Sequence, residues 1–414
     1  MKVFKFGGAS VKNSQAIKNV SAIVKNHPTE QLMIVVSAMG KTTNALERIV
    51  ALGQAAKSFT AELEEIKSYH YTATSDLGLN STSLQSELEN IWQQIVSEAQ
   101  KHGNYDEIYD QVVSQGEILS SLILSYYLNA AGISCEWIDA RKYINTDHTW
   151  REGRVNWEKT KQAAQNLKPL LSKKTIVTQG FIGATTEGKT TTLGREGSDY
   201  TAAIFAASLG AESVTIWKDV PGVMSADPKR IATATVFEEL PYQEAAEMTY
   251  YGASVIHPKT IKPLANAKIP LLVKNFDNPS LPGTRIHDCK IDKLPPLIVF
   301  KENQCLVSCK VTDYTFVSEE QIGLIFQALM KHNVRINVMQ NSAISFSFCV
   351  DFRDQKILDL IHELSNHFEV YYNTNLTLIT IKNYDAASFS EYRNRAGVLM
   401  EQSSRSTLQV LVKG

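Results

Sequence analysis

Residues 31–39, QLMIVVSAM, hold an unbroken apolar run, Leu32 to Val36, between Gln31 and Ser37. A strand with one wet face alternates apolar and polar side chains. A strand with no alternation must be covered on both faces, as happens when crossover helices pack on either side of a parallel sheet. The neighbouring sequence fits that demand. KVFKF, SCEWIDA, KTIVTQGFIG and ESVTIWKDV read as further strands, with helical patterns between them. Ile17, Val20, Ile23 and Val24 fall on one helical stripe. SDYTAAIFAASLGA is helical and ends on Gly210, and residues from about 55 to 130 are mostly helical. Strands alternating with helices predict an α/β fold around a mainly parallel sheet.

The 414 residues, 43% of them hydrophobic, are enough for two or three domains. A formal net charge of −1 gives no electrostatic footprint for nucleic acid or an acidic membrane. No apolar run approaches the roughly 20 residues of a membrane span. MKVFKFGGAS lacks the apolar stretch of a signal peptide, so a soluble cytoplasmic protein is expected. Five cysteines, an odd number in a long chain, argue against a disulfide framework. Cys305 and Cys309 lie four apart in CLVSC, which places both on one face of a strand as small buried hydrophobes. The nine histidines show no zinc-ligand spacing.

Further along, NPSLPGTRIHDCKIDKLPPL carries four prolines and reads as a linker. Beyond it the order strand, helix, strand, strand occurs from NQCLVSCKV to ISFSFCVDF. After the helix QKILDLIHELSNHF it starts again at NLTLITIKN and runs to LQVLVKG. This is a weak internal repeat.

Three loops offer donors to an anion. VFKFGGAS is a strand, a Gly-Gly turn and a helix start. Gly7 and Gly8 permit close backbone approach and a helix start offers free N–H groups. Either Lys5 points at the same anion with Ser10 adding a hydroxyl donor, or the segment is a plain strand-helix connection with Lys5 facing solvent. SAMGKTTN supplies Ser37, Gly40, Thr42 and Thr43. LGREGSDYTAA supplies Arg195, suited to a carboxylate or phosphate, and Asp199, which is either functional or a helix cap. Glu117 in SQGE lies inside an apolar helical run and needs a cationic partner, either a ligand ammonium or an internal Arg or Lys. GATTEGKT has the spacing of a Walker A loop, but TTTLG after Lys189 makes a poor first helical turn. It reads better as a turn between two strands.

Taken in order, KFGGAS, SAMGKTTN, SQGE, WIDARKYINTD, GFIGATTEGKTTTLGREGSDYTAA, WKDVPGVMSADPK and YGASVIHP resemble the aspartate kinases of the amino-acid kinase superfamily. The C-terminal units resemble ACT modules. The resemblance implies a three-layer sandwich with a mainly parallel sheet over residues 1–290. Over 291–414 it implies a tandem ACT-like regulatory region whose second module is shortened. It implies transfer of a phosphoryl group from ATP, with Mg²⁺ held mainly by phosphates, to the side-chain carboxylate of L-aspartate. By the same resemblance Lys5 stabilises the transferring phosphoryl group and Asp199 holds the site's cations. Gly7, Gly8 and Ser10 line the phosphates. Arg195 binds the substrate α-carboxylate and Glu117 its ammonium. Ser37, Gly40, Thr43 and Ser198 lie beside the substrate. Lys218, Asp219, Met224, Asp227, Lys229, Ser254 and Val255 form the nucleotide edge. A homodimer through the ACT modules, and an amino-acid effector bound there, are further implications.

The chain departs from the family in places. Glu196 stands where relatives often have glycine, putting a carboxylate either beside the phosphates or out toward solvent. Ser254 stands where many have lysine. Asn337 and Ala343 occupy positions that are acidic in lysine-inhibited relatives, which weakens the expectation of lysine feedback. The alternatives to an aspartate kinase are another kinase of the superfamily or a catalytically weak ACT-domain sensor of amino acids.

Overall fold

A computed structural model describes residues 1–28, 31–253, 256–312 and 315–413. They form two compact units. The first comprises Met1–Val223, Val236–Ala246 and Val255–Lys290, and the second Met224–Thr235, Glu247–Ser254 and Ile291–Gly414.

The first unit is built on an eight-stranded sheet. Its strands are β1 (Lys2–Phe6), β2 (Leu32–Val36), β3 (Cys135–Ile138), β4 (Thr175–Gln179), β7 (Ser213–Lys218), β8 (Glu239–Pro241), β9 (Leu271–Asn275) and β10 (Thr284–His287). The spatial order is β3-β4-β2-β1-β7-β9-β10-β8. All pairs are parallel except β9 with β10. All five side chains of β2 are buried, as its unbroken apolar run requires. Emptying one such position, as in Ile34→Ala, should cost about 2–5 kcal/mol.

Handedness sets where the helices lie. From β1 to β2 and from β2 to β3 the chain moves toward one edge, so right-handed crossovers put helices Ser14–Lys25 and Gln115–Ala130 on one face. From β3 to β4, β4 to β7 and β7 to β9 it moves the other way. Helices Trp157–Gln165, Gly197–Leu209 and Pro258–Ala267 therefore cover the opposite face. The result is the expected three-layer sandwich. The direction reverses between β1 and β7, and the crevice beyond the carboxyl ends of strands at such a switch point is where ligands bind in open α/β sheets.

Two expectations need correction. The first helix does not start at the Gly-Gly turn. Gly8–Val11 form a single 3₁₀ turn, and the α-helix begins at Ser14, where the Asn13 side chain accepts from Ala16 N–H at 2.9 Å. The proline-rich stretch is not all linker, because it contains β10, whose Thr284 and Ile286 are buried. Its prolines stand outside the strand, where no ladder hydrogen bond is lost.

The apparent Walker loop joins two short antiparallel strands, β5 (Ile182–Ala184) and β6 (Thr190–Thr192). Thr185 N–H bonds to Lys189 O at 2.9 Å, and Gly188 sits at φ 82°. No helix follows Lys189, so this is a hairpin, as its β-branched run predicts.

The second unit carries a six-stranded antiparallel sheet. Its strands are β11 (Leu297–Lys310), β12 (Ile336–Asn341), β13 (Ser345–Asp351), β14 (Glu369–Lys382), β15 (Val398–Ser403) and β16 (Thr407–Lys413), in the order β12-β13-β11-β14-β16-β15. The internal repeat is real, but its two copies share strands. β11 and β14 are each 14 residues long and pair along nearly their whole length, with register shifts near Gln304. Cys305, Val307 and Cys309 share one buried cluster with Ile325, Phe348 and Leu360, as the four-residue spacing predicts. Burial pushes the Cys305 thiol up to about 11. Among the described residues no helix is long and apolar enough to cross a membrane.

Candidate active site

The carboxyl ends of β1 and β7 put two lysines at the switch point. Lys5 is the fourth residue of β1, so it faces away from Phe4 and Phe6 and toward helix Gly197–Leu209. Lys218 ends β7. Asp199, in the first turn of that helix, meets both: Lys5 Nζ lies 2.7 Å from its Oδ1, and Lys218 Nζ 3.3 Å from its Oδ2. Burial alone would raise the Asp199 carboxyl. The two ammonium groups outweigh it and hold the group below its ordinary range. The helix-cap reading of Asp199 is thereby set aside, since its carboxylate is committed to two cations and Glu196 is the N-cap.

These residues open on a cavity of about 540 Å³. Of the residues read from the sequence, Lys5, Ser37, Thr43, Glu117, Arg195, Ser198, Asp199 and Lys218 line it together. Glu117 enters from the helix on the other face of the sheet. Its Oε1 accepts from Ala38 N–H at 3.3 Å, while Oε2 is buried with no hydrogen-bond partner among the described residues. Burial pushes Glu117 up to about 8, offset only in part by the Ala38 N–H and the Lys5 charge.

The Gly-Gly turn is fixed by close backbone packing. A Cβ on Gly8 would stand 2.7 Å from Ala38 O and 3.1 Å from Gly40 O, and one on Gly7 3.5 Å from Lys5 Nζ. Gly40 N–H bonds to Gly8 O at 3.0 Å, and Gly40 takes φ 52°. The SAMG and FGGA loops are thus laced together over the carboxyl ends of β1 and β2.

Other expected residues lie elsewhere. Ser10 and Asp219 line a second cavity of about 520 Å³ beside the helix Ser14–Lys25. Met224, Asp227 and Lys229 belong to the second unit, where Asp227 Oδ1 accepts from Lys229 N–H at 2.9 Å in a local turn. Ser254 and Val255 lie outside the described residues.

Sequence reading misses part of the cavity wall. Tyr109, Arg151, Glu152, Phe181 and Thr192 also line it. Arg151 takes a left-handed backbone at φ 63° and lies over the Tyr109 ring at 4.0 Å. It pairs with Glu47 and Asp106. Beneath it the buried Asp110 accepts from Arg151 N–H at 2.9 Å and Thr192 Oγ1 at 2.7 Å. Burial pushes Asp110 up to about 6. The one signal in the sequence is an aspartate on the apolar stripe of Ile108, Val112 and Val113. Arg151 sits in an irregular loop with no periodicity to expose it.

The profile of the amino acid kinase family matches residues 1–275. Lysine-sensitive aspartokinase 3 of Escherichia coli is 32% identical over 357 residues, covering 84% of this chain and 78% of that protein. The chain belongs to the aspartokinase branch of the amino acid kinase family. A bifunctional aspartokinase/homoserine dehydrogenase of Arabidopsis thaliana is 36% identical over 69% of this chain. The chain spans only 32% of that relative's length. Among solved structures, E. coli aspartokinase III in complex with aspartate and ADP superposes with a TM-score of 0.85 at 28% identity. That match covers 100% of this chain and 96% of that one. In this aspartokinase-branch chain the cavity wall centres on a doubly paired aspartate, Asp199.

Proposed function

We propose that this protein is an aspartate kinase, transferring a phosphoryl group from ATP to the side-chain carboxylate of L-aspartate to give 4-phospho-L-aspartate. The observation that carries the reading is the buried Lys5–Asp199–Lys218 cluster opening on one cavity with Arg195 and Glu117. The cavity offers fixed positive charge to a transferring phosphoryl group, a guanidinium to a carboxylate and a carboxylate to an ammonium. Aspartate carries the last two groups, and the E. coli relative binds aspartate and ADP.

The nucleophile is ionised at neutral pH and needs no base. Lys5 neutralises the charge that spreads over the transferring phosphoryl oxygens. Asp199 fixes Lys5 and Lys218 in position, so that little reorganisation accompanies the transfer. Gly7 and Gly8 give backbone donors to the phosphates. Arg195 takes the α-carboxylate and Glu117 the ammonium. Ser37, Gly40, Thr43 and Ser198 hold the reacting carboxylate in line. Lys218 and Asp219 serve the nucleotide. Mg²⁺ fits the donor set, because Glu196 offers a buried carboxylate oxygen without a partner among the described residues. When bound it neutralises and orients the phosphates.

We further propose that residues 1–290 are catalytic and 291–414 regulatory, with ACT-like modules that bind an amino-acid effector and pair two chains. Exposed Phe316, Met330, Met339, Tyr371 and Tyr372 on the second unit support the pairing. Sedimentation at a single monomeric mass across a wide concentration range would refute it.

The kinase reading is tested by incubating the protein with MgATP and hydroxylamine, with and without L-aspartate. Aspartate-dependent hydroxamate is expected. Its absence in folded protein that binds ATP would refute the substrate assignment.

A further inference from the structure

Glu196 is conformationally expensive. It stands in the left-handed region, at φ 53° and ψ 30°, directly before helix Gly197–Leu209. A side chain there costs roughly 1–2 kcal/mol. The residue recovers nothing as a cap, since its side chain makes no cap hydrogen bond. It turns instead into the cavity, where Oε2 is buried and has no hydrogen-bond partner among the described residues.

Glu117 Oε2 is in the same condition on the same cavity, and that residue is only 3% exposed. A buried carboxylate oxygen without a partner is costly, so two such oxygens call for two cationic groups. Aspartate supplies one, its ammonium, and Glu117 beside Ala38 is placed for it. Burial pushes the Glu196 carboxyl up. Of the charges within electrostatic reach, Lys218, Lys5 and Arg195 favour its charged form and Asp199 opposes it, and burial outweighs the three cations. A second ammonium is not brought by either substrate. Asp199 is already committed to Lys5 and Lys218. The nucleotide adds only negative charge, which the Glu196 carboxylate would repel. A cation arriving with the nucleotide resolves both problems, and carboxylate oxygen is the donor type that Mg²⁺ and Mn²⁺ select.

We propose that Glu196 is a direct protein ligand for the divalent cation that accompanies the nucleotide, its Oε2 joining phosphate oxygens and water around the metal. This rests on the kinase reading above. The left-handed backbone is retained because it aims the carboxylate into the cavity rather than along the helix.

The test compares Mn²⁺·ADP with metal-free ADP by calorimetry, in wild type, Glu196→Gln and Glu196→Asn. Solvent-proton relaxation counts the exchangeable waters on Mn²⁺. Loss of a ligand should weaken Mn²⁺·ADP about tenfold or more, leave metal-free ADP binding equal or tighter, and add one water to the metal. Asparagine tolerates the left-handed region, so Glu196→Asn should melt no lower than wild type while showing the same metal defect. Wild-type affinity for Mn²⁺·ADP and an unchanged water count in both variants would overturn the proposal, leaving the kinase reading intact. Wild-type protein that binds neither form of ADP and makes no hydroxamate would overturn both.

Discussion

Lys5 Nζ and Asp199 Oδ1 form an ion pair of 2.7 Å in which the two side chains are 9% and 3% exposed. Lys218 reaches the other oxygen of the same carboxylate. A pair this deep is a weak source of net stability, because desolvation offsets its attraction, yet breaking it from one side is costly. Its value lies in holding two ammonium groups at the switch point of the sheet.

That arrangement separates stability from catalysis. Lys5→Met leaves a buried carboxylate with one cation and should lower the melting temperature. It should also reduce turnover by about 10²-fold or more, the scale of one preorganised electrostatic donor. Adding Asp199→Asn removes the stranded charge and should recover much of the melting temperature without recovering turnover. Turnover that returned with stability would reduce Lys5 to a structural role.

Glu117 gives a pH dependence with a definite sign. Its carboxyl is pushed up to about 8 by burial, so the folded chain favours the protonated form. The stability this contributes is complete below the ordinary glutamate value and is lost as pH rises through about 8. Glu117→Gln keeps an acceptor for Ala38 N–H and cannot ionise. Its melting temperature should exceed that of wild type at pH 9, and the gap should close only as pH falls below the ordinary glutamate value of 4.5. Substrate binding runs the opposite way. An ammonium needs the ionised form, so the aspartate KM of the wild type should fall between pH 6.5 and 8.5. In Glu117→Gln it should be high and flat. A wild-type KM with no slope over that range would remove Glu117 from the ammonium site.

The division between what the sequence reveals and what it conceals follows from range. The unbroken run of β2 and the cap at Gly210 are local consequences of burial and chirality, and both are readable. The hairpin at Lys189 is readable because three threonines and a glycine cannot open a helix. The length of β11 and β14 is not, since each strand gains its second half only by pairing with the other, far away along the chain. The start of the first helix is hidden behind the Gly-Gly turn, because Asn13 is a stronger cap than the glycines before it. The Arg151 loop is concealed by distance. Its place is fixed by Asp110, Tyr109 and Glu47, all remote in sequence.

Arg195 and Arg151 both line the cavity but differ in what already holds them. Arg151 is stacked on Tyr109 and paired with Glu47 and Asp106. Arg195 is the guanidinium assigned to the substrate α-carboxylate. Arg195→Ala should raise the aspartate KM about tenfold or more while changing the ATP KM little, as expected for loss of a charged hydrogen-bonding partner. Initial-rate measurements with each substrate varied distinguish the cases. Equal rises in both KM values would make Arg195 a shared or structural residue.

Two glycines with opposite surroundings test how tightly the FGGA and SAMG loops are packed. A Cβ at Gly8 would meet the backbone oxygens of Ala38 and Gly40, which cannot rotate away. Gly8→Ala must therefore push the FGGA and SAMG loops apart. Overpacking of this kind costs about 1–3 kcal/mol, and the ATP KM should rise because the backbone donors of both loops shift. Gly323 lies inside the helix Glu319–Lys331, and a methyl added there would meet nothing within 4 Å. Alanine at that position should stabilise by about 1 kcal/mol through helix propensity alone and leave kinetics unchanged. Thermal melts and ATP titrations of the two variants should thus move in opposite directions for stability and differ for KM. A Gly8→Ala protein with wild-type melting and wild-type ATP KM would show that the two loops are free to separate, and that the lacing at Gly8 O and Gly40 N–H does not position the phosphates.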